Sequence, residues 1–184
     1  MDIALYQKIK KEYDDFYKSI MRGGKLPMRE TSQGFWGAAV ADEVFEAFKK
    51  AGLKNCKNFL DIGSGDGKIV LIASLFAKNS FGIEIDESLV NKSIEIKEKL
   101  AIKNAGFSKG DFYEEDFSKY DFLFCNPDSP IERMLEKKLL KEMKGRLIVY
   151  GSQFIPKKLF RESEFKISGT DIFVFINCND KKEL

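Results

Sequence analysis

Residues 58–70 place two apolar runs on either side of a turn, with an acid at Asp61 and glycines at Gly63, Gly65 and Gly67. An apolar run this short, closed by an acid and a glycine cluster, reads as a buried strand entering a tight turn. The second run, from Lys68, resumes with helical spacing. Glycines at alternate positions let the backbone take left-handed torsions and stand bare against a ligand. The helix that opens after Gly67 presents unpaired N–H groups and a partial positive charge to whatever sits there. Strand, turn and helix in this order commit the chain to α/β architecture with a small-molecule cradle at the turn.

The remaining sequence extends that unit. Strands are expected over 58–62, 80–85, 105–109, 121–125 and 146–151, alternating with helices over 68–78, 87–100 and 131–144. Alternation of this kind requires a parallel sheet covered on both faces. Residues 156–161 are expected to make a short helical turn. Two alternating strands come next over 164–168 and 172–177, joined by a tight hairpin at Gly169, Thr170 and Asp171. Ahead of the cradle, Ile3, Tyr6, Ile9, Tyr13, Phe16, Tyr17 and Ile20 form the inner stripe of an amphipathic helix over 2–21. A loop over 25–34 and a second helix ending near Ala51 complete the N-terminal part. Trp36 lies among glycines just ahead of the cradle strand, as core or as a pocket wall. The expected fold is a doubly wound, mostly parallel sheet with helices on both faces and a C-terminal antiparallel hairpin. A length of 184 residues suits one domain. It divides into an N-terminal helical extension (1–54), a cofactor-binding core (55–151) and a terminal hairpin region (152–184).

Composition removes several chemistries. The chain has no histidine, and Cys56, Cys125 and Cys178 are widely spaced. Common zinc patterns, a Ser-His or Cys-His pair and a disulfide framework are therefore excluded, and no metal is expected. Reduced thiols, with no apolar signal core or membrane-length run, imply a cytoplasmic protein. Basic and acidic residues number 31 and 29, a net charge of +2, which gives no support for general affinity for nucleic acid or membranes.

Open parallel sheets bind ligands beyond the carboxyl ends of their strands. Each expected strand end here carries an acid or amide: Asp61, then Glu84, Ile85 and Asp86, then Gly110 and Asp111, then Asn126, Pro127 and Asp128. A dinucleotide fingerprint would need its third glycine at position 68, which is lysine, and Asp61 would stand too close to a pyrophosphate. The pattern suits a ligand bearing an amine, a ribose and a base but no phosphates. Asp86 reads as a helix cap. Asp66 either caps the helix after Gly67 or contacts the ligand.

These residues resemble the class I S-adenosylmethionine-dependent methyltransferases: Asp61–Gly67, then Gly82–Asp86, Gly110–Phe112 and Asn126–Pro127. The resemblance spans residues 55–150 and implies S-adenosylmethionine as cofactor. It implies that Gly63, Ser64, Gly65 and Gly67 run under the methionine part, with Asp61 at its ammonium group. Glu84 would hold the ribose hydroxyls, with Ile85 beside it. Asp111 would accept from the adenine amine next to Phe112, unless it is only a solvated loop acid. Asn126 and Pro127 would face the transferable methyl.

Residues 126–129 are similar to, and depart from, the Asn-Pro-Pro-aromatic motif of methyltransferases acting on amide or exocyclic nitrogens. Asp128 replaces the second proline and Ser129 the aromatic. Without the stacking ring a planar target is disfavoured, and the added carboxylate suits a cationic amine. The run from Gly63 to Leu71 is also similar to small lysine methyltransferases. The acceptor is therefore expected to be a protein lysine, with Asn126 and Asp128 as catalytic residues and Phe35, Trp36 and Tyr113 around the entrance. RNA, a small metabolite, or cofactor binding without turnover remain the alternatives.

Overall fold

The computed structural model describes residues 2–31, 34–54, 56–128, 130 and 133–177. Ser129, Cys178 and the first two residues of the expected 131–144 helix lie outside them. The apolar stripe at the N-terminus folds as α1 (Ile3–Arg22), capped by the Asp2 carboxylate, which accepts from the Leu5 N–H at 2.9 Å. A pair of strands then takes the place of the loop expected over 25–34. β1 (Met28–Thr31) and β2 (Gly34–Gly37) form a separate antiparallel pair, so Trp36 stands on a strand. Four-residue strands are too short to display alternation, and Pro27 and Gly34 read as breakers. α2 (Ala41–Lys50) buries Val44, Phe45, Ala47 and Phe48.

The expected alternation comes next: β3 (Asn58–Ile62), α3 (Lys68–Ala73), β4 (Asn79–Glu84), α4 (Glu87–Lys99), β5 (Ala105–Lys109), β6 (Phe122–Cys125), α5 (Arg133–Glu142) and β7 (Arg146–Tyr150). α3 ends earlier than its apolar pattern suggests. Beyond Ala73 the N–H groups of Leu75 and Phe76 turn to carbonyls three residues back, which tightens the chain out of α geometry. Two single 3₁₀ turns, Phe112–Glu114 and Phe117–Lys119, connect β5 to β6 and are capped by Asp111 and Asp116. Near the end, the strand expected over 164–168 starts earlier, as β8 (Phe160–Ile167), and pairs with β9 (Thr170–Ile176), while residues 157–159 make bends in place of the helical turn expected over 156–161. The connecting turn is at Ser168 and Gly169, both at positive φ, one step earlier than expected.

Seven strands stand in the order β5-β4-β3-β6-β7-β9-β8. The first five are parallel, and β9 runs antiparallel to both β7 and β8. The hairpin thus supplies two strands, with β9 inside the sheet and β8 at its edge. From β3 the chain works outward through β4 and β5, then returns to lay β6 against the other side of β3. Strand order reverses between β3 and β6, where a crevice is forced open at the carboxyl ends.

Side chains alternate across the sheet with the period of two that a strand imposes. Phe59, Phe124, Ile148 and Val174 join one apolar cluster with residues of α2, α3 and α4, and α1 packs onto α3. Leu60, Leu123, Val149 and Phe175 join a second cluster with Leu139 and Met143, from α5 and just beyond it, and with Phe117. Phe48 meets Phe59 and Phe124 edge-on, at centroid distances of 5.3 and 5.7 Å. Among the described residues no helix is long and apolar enough to cross a membrane.

Candidate cofactor and acceptor site

A cavity of about 350 Å³ lies at the reversal of strand order. Asp61, Gly63, Ser64 and Gly65 line it from the end of β3 and the turn beyond. Glu84, Ile85, Gly110, Phe112 and Tyr113 line it on the β4–β5 side. Asn126, Pro127 and Asp128 line it beyond β6, with Phe35 and Trp36 of β2.

The three glycines of the turn serve different purposes. At Gly65 (φ +53°) a Cβ would stand 2.5 Å from Cδ1 of Trp36, so the indole lies directly on the backbone. At Gly67 (φ +80°) a Cβ would lie 2.5 Å from Oγ of Ser93 and 2.6 Å from Phe107. The third glycine therefore seats α3 against α4 and β5, and it is not part of the cavity wall. Gly63 is in the wall with open space around it.

Acidic groups set the electrostatics. The Asp61 side chain is 2% exposed, and its Oδ2 has no hydrogen-bond partner among the described residues. Burial, then Glu84, then Asp66 push its carboxyl well above the usual range. The charged form of such a group is stabilised by an arriving cation. Glu84 uses one oxygen to accept from the Gly65 N–H at 2.8 Å and the other from the Asp86 N–H at 2.9 Å, which locks the turn to the end of β4. Asp86 caps α4 through the N–H groups of Ser88 and Leu89, as expected. Asp66 is held by α1: the Tyr17 hydroxyl donates to its Oδ2 at 2.6 Å and Tyr13 donates to its backbone carbonyl at 2.8 Å. Burial raises its carboxyl too, against the opposing effects of Lys68 and Tyr17. Burial, reinforced by Asp61, also pushes the Cys125 thiol up, away from the thiolate form.

At the β6 end, Asp128 Oδ2 accepts a hydrogen bond from the Phe35 N–H. Gly34 (φ +145°) makes this approach possible, since a Cβ there would stand 2.7 Å from the same oxygen. The Asn126 amide reaches the Gly37 carbonyl at 3.5 Å. The β1–β2 pair is thereby fastened across the β6 side of the cavity.

A family model described as a methyltransferase domain matches residues 53–182. The chain belongs to this family. It carries a methyltransferase domain. Over 97 residues, 51% of its length, it is 30% identical to a protein-lysine N-methyltransferase from Saccharolobus islandicus. Over 75 residues, 38% of its length, it is 37% identical to a release factor glutamine methyltransferase from Fusobacterium nucleatum. It spans 60% of the first of these relatives and 21% of the second. In fold it is similar to an RNA methyltransferase from Salinibacter ruber, solved with S-adenosylhomocysteine, at a TM-score of 0.69 and 21% identity. That likeness covers 77% of this chain and 95% of the other.

The wall fits such a cofactor. An orphaned buried carboxylate oxygen meets the need of an ammonium group, and bare backbone at Gly63 and Gly65 leaves room beside it. Of the residues expected in the methyltransferase site, Asp61, Gly63, Ser64, Gly65, Glu84, Ile85, Phe112, Asn126 and Asp128 are gathered in one wall. Gly67 and Asp111 are not. Asp111 Oδ1 accepts from the Tyr113 N–H at 2.9 Å and caps the turn that presents Phe112 and Tyr113. Phe35, Trp36 and Tyr113 line the cavity, as expected. Lys68, Leu135 and the Asp66–Tyr17 contact went unread from sequence. Their only local signals were a lysine directly after a glycine turn and tyrosines in an apolar stripe, both of which are common on ordinary packed surfaces.

Proposed function

We propose that this methyltransferase modifies the ε-amine of a protein lysine. The observation that carries the reading is Asp128, a carboxylate in the cavity wall where the acceptor loop leaves β6. S-adenosylmethionine, when bound, supplies a methyl group already activated by its sulfonium. The protein's part is to align a nucleophile and exclude water.

In this reading Asp61 receives the ammonium of the cofactor, and Gly63, Ser64 and Gly65 support its amino-acid end. Glu84 and Ile85 take the ribose, and Phe112 flanks the base with Asp111 behind it. Asn126 orients the acceptor nitrogen through its side-chain oxygen. Asp128 accepts from the incoming ammonium and holds it near Asn126. Lysine of pKa about 10.4 must lose a proton before it attacks, at a cost of about 4–5 kcal/mol at pH 7. Packing of the lysine stem against Phe35, Trp36 and Tyr113 would strip water from the amine and lower that cost by disfavouring its charged form. The released proton passes to solvent at the exposed Asp128. The 30% identity to a protein-lysine methyltransferase supports the same acceptor class. The glutamine alternative lacks an aromatic partner, since residue 129 is serine.

The test incubates the protein with radiolabelled S-adenosylmethionine and separate protein and RNA fractions, followed by mass spectrometry of modified peptides. Label in protein at lysine, reduced at least tenfold by Asp128→Ala, is expected. Label confined to RNA would overturn the reading, and unchanged labelling by the variant would remove Asp128 from it.

A further inference from the structure

Lys68 opens α3 directly after the glycine turn, yet it is only 4% exposed and belongs to the cavity wall. Its ammonium donates to the Ala39 carbonyl and stands 4.7 Å from the ring centroid of Tyr17 and 5.9 Å from that of Tyr13. Among the described residues no carboxylate forms an ion pair with it. The nearest acid in sequence, Asp66, directs its two oxygens to the Tyr17 hydroxyl and to the backbone N–H of Lys68. Buried ammonium groups are almost always paired, because a carbonyl and ring faces offset only part of the lost hydration. The other charged side chains of this wall are Asp61, Asp66, Glu84 and Asp128, all acids. Lys68 is thus the one cation among the described residues that faces the cavity.

We infer that Lys68 binds the α-carboxylate of the cofactor's amino-acid end. This rests on the placement proposed above, in which Asp61 takes the α-ammonium over the glycine turn. The two groups sit on one carbon atom, so their receptors must be neighbours of opposite sign. Asp61 and Lys68 are of opposite sign and line the same cavity, one at the end of β3 and the other just past the glycine turn. Burial lowers the Lys68 ammonium from its usual range, and an arriving carboxylate reverses that penalty. Asp61 and Lys68 together would read a zwitterion and reject adenosine thioethers that lack either half. The competing explanation is a clamp: Lys68 ties the segment around Ala39 and the tyrosines of α1 to the turn and never touches ligand.

Calorimetric titration separates the two. The probes are S-adenosylhomocysteine, its decarboxylated analogue and 5′-methylthioadenosine, which has no amino-acid end. The wild-type protein is expected to bind the decarboxylated analogue about 10–100-fold more weakly than S-adenosylhomocysteine, the range for a charge-assisted hydrogen bond. Lys68→Met should weaken S-adenosylhomocysteine by the same factor and leave 5′-methylthioadenosine unchanged, while Lys68→Arg restores most of the loss. Equal weakening of both ligands by Lys68→Met would establish the clamp and overturn the inference. So would a wild-type protein indifferent to the carboxylate, a result that needs no variant to fold. A wild-type protein that binds 5′-methylthioadenosine as tightly as S-adenosylhomocysteine would refute the underlying placement of the amino-acid end.

Discussion

Replacing Asp61 by asparagine should make the ligand-free protein more stable and the cofactor complex weaker. Burial, Glu84 and Asp66 raise the Asp61 carboxyl in the native state, whereas the unfolded chain ionises near pH 3.9. Between those two values the native state holds a proton that the unfolded state has released. Stability therefore falls as pH rises through the window, by about 1.4 kcal/mol for each pH unit of separation. In a chain of this length 1 kcal/mol moves the melting temperature by about 2–4 °C, so each unit is worth about 3–6 °C. Asparagine keeps the shape and has no charge to bury. Its advantage over wild type should be absent below about pH 4 and grow as pH rises, levelling off once the raised native carboxyl itself ionises. Ligand should reverse the order. S-adenosylhomocysteine at 100 times its Kd stabilises wild type by about 2.7 kcal/mol. Loss of a charge-assisted contact, about 10–100-fold in affinity, leaves about 0.4–1.4 kcal/mol at the same concentration. The assay is a pair of melting series from pH 4 to pH 8, with and without S-adenosylhomocysteine. An Asp61→Asn variant that gains nothing in the ligand-free series, or keeps the full ligand shift, would refute the assignment.

Two further substitutions probe the scaffold behind the site. Gly67→Ala must carry a methyl into Ser93 and Phe107 at positive φ, and should destabilise by about 2–4 kcal/mol as measured by denaturant unfolding. Since Gly67 lies behind the wall, folded Gly67→Ala protein should bind S-adenosylhomocysteine nearly as wild type does in calorimetry. Tyr17→Phe removes the donor to Asp66 and leaves a buried carboxylate oxygen short of a partner, at about 1–3 kcal/mol. Protease cleavage within α1 should then accelerate, reporting release of that helix from the glycine turn.

The turn at Gly63–Gly67 and the strand ends at Asp61 and Glu84 were legible because they obey local rules. Positive torsions select glycine, a buried parallel strand selects an apolar run, and chain order places those strand ends along one edge of the sheet. The same locality explains what the sequence left open. β1 and β2 are stabilised by pairing with each other and by the Asp128–Phe35 contact, 93 positions apart, and no short-range pattern records such a partner. Lys68 has the sequence context of a solvated helix start, and only the tyrosines of α1, folded back over the turn, bury it. Gly67 shows the converse case: its spacing fits a ligand cradle, but Ser93 and Phe107 claim the space. Local backbone chemistry thus determined that a glycine-lined cavity follows β3. Which side chains close over it depended on helix and hairpin packing, because contacts between distant segments exist only once the sheet has assembled.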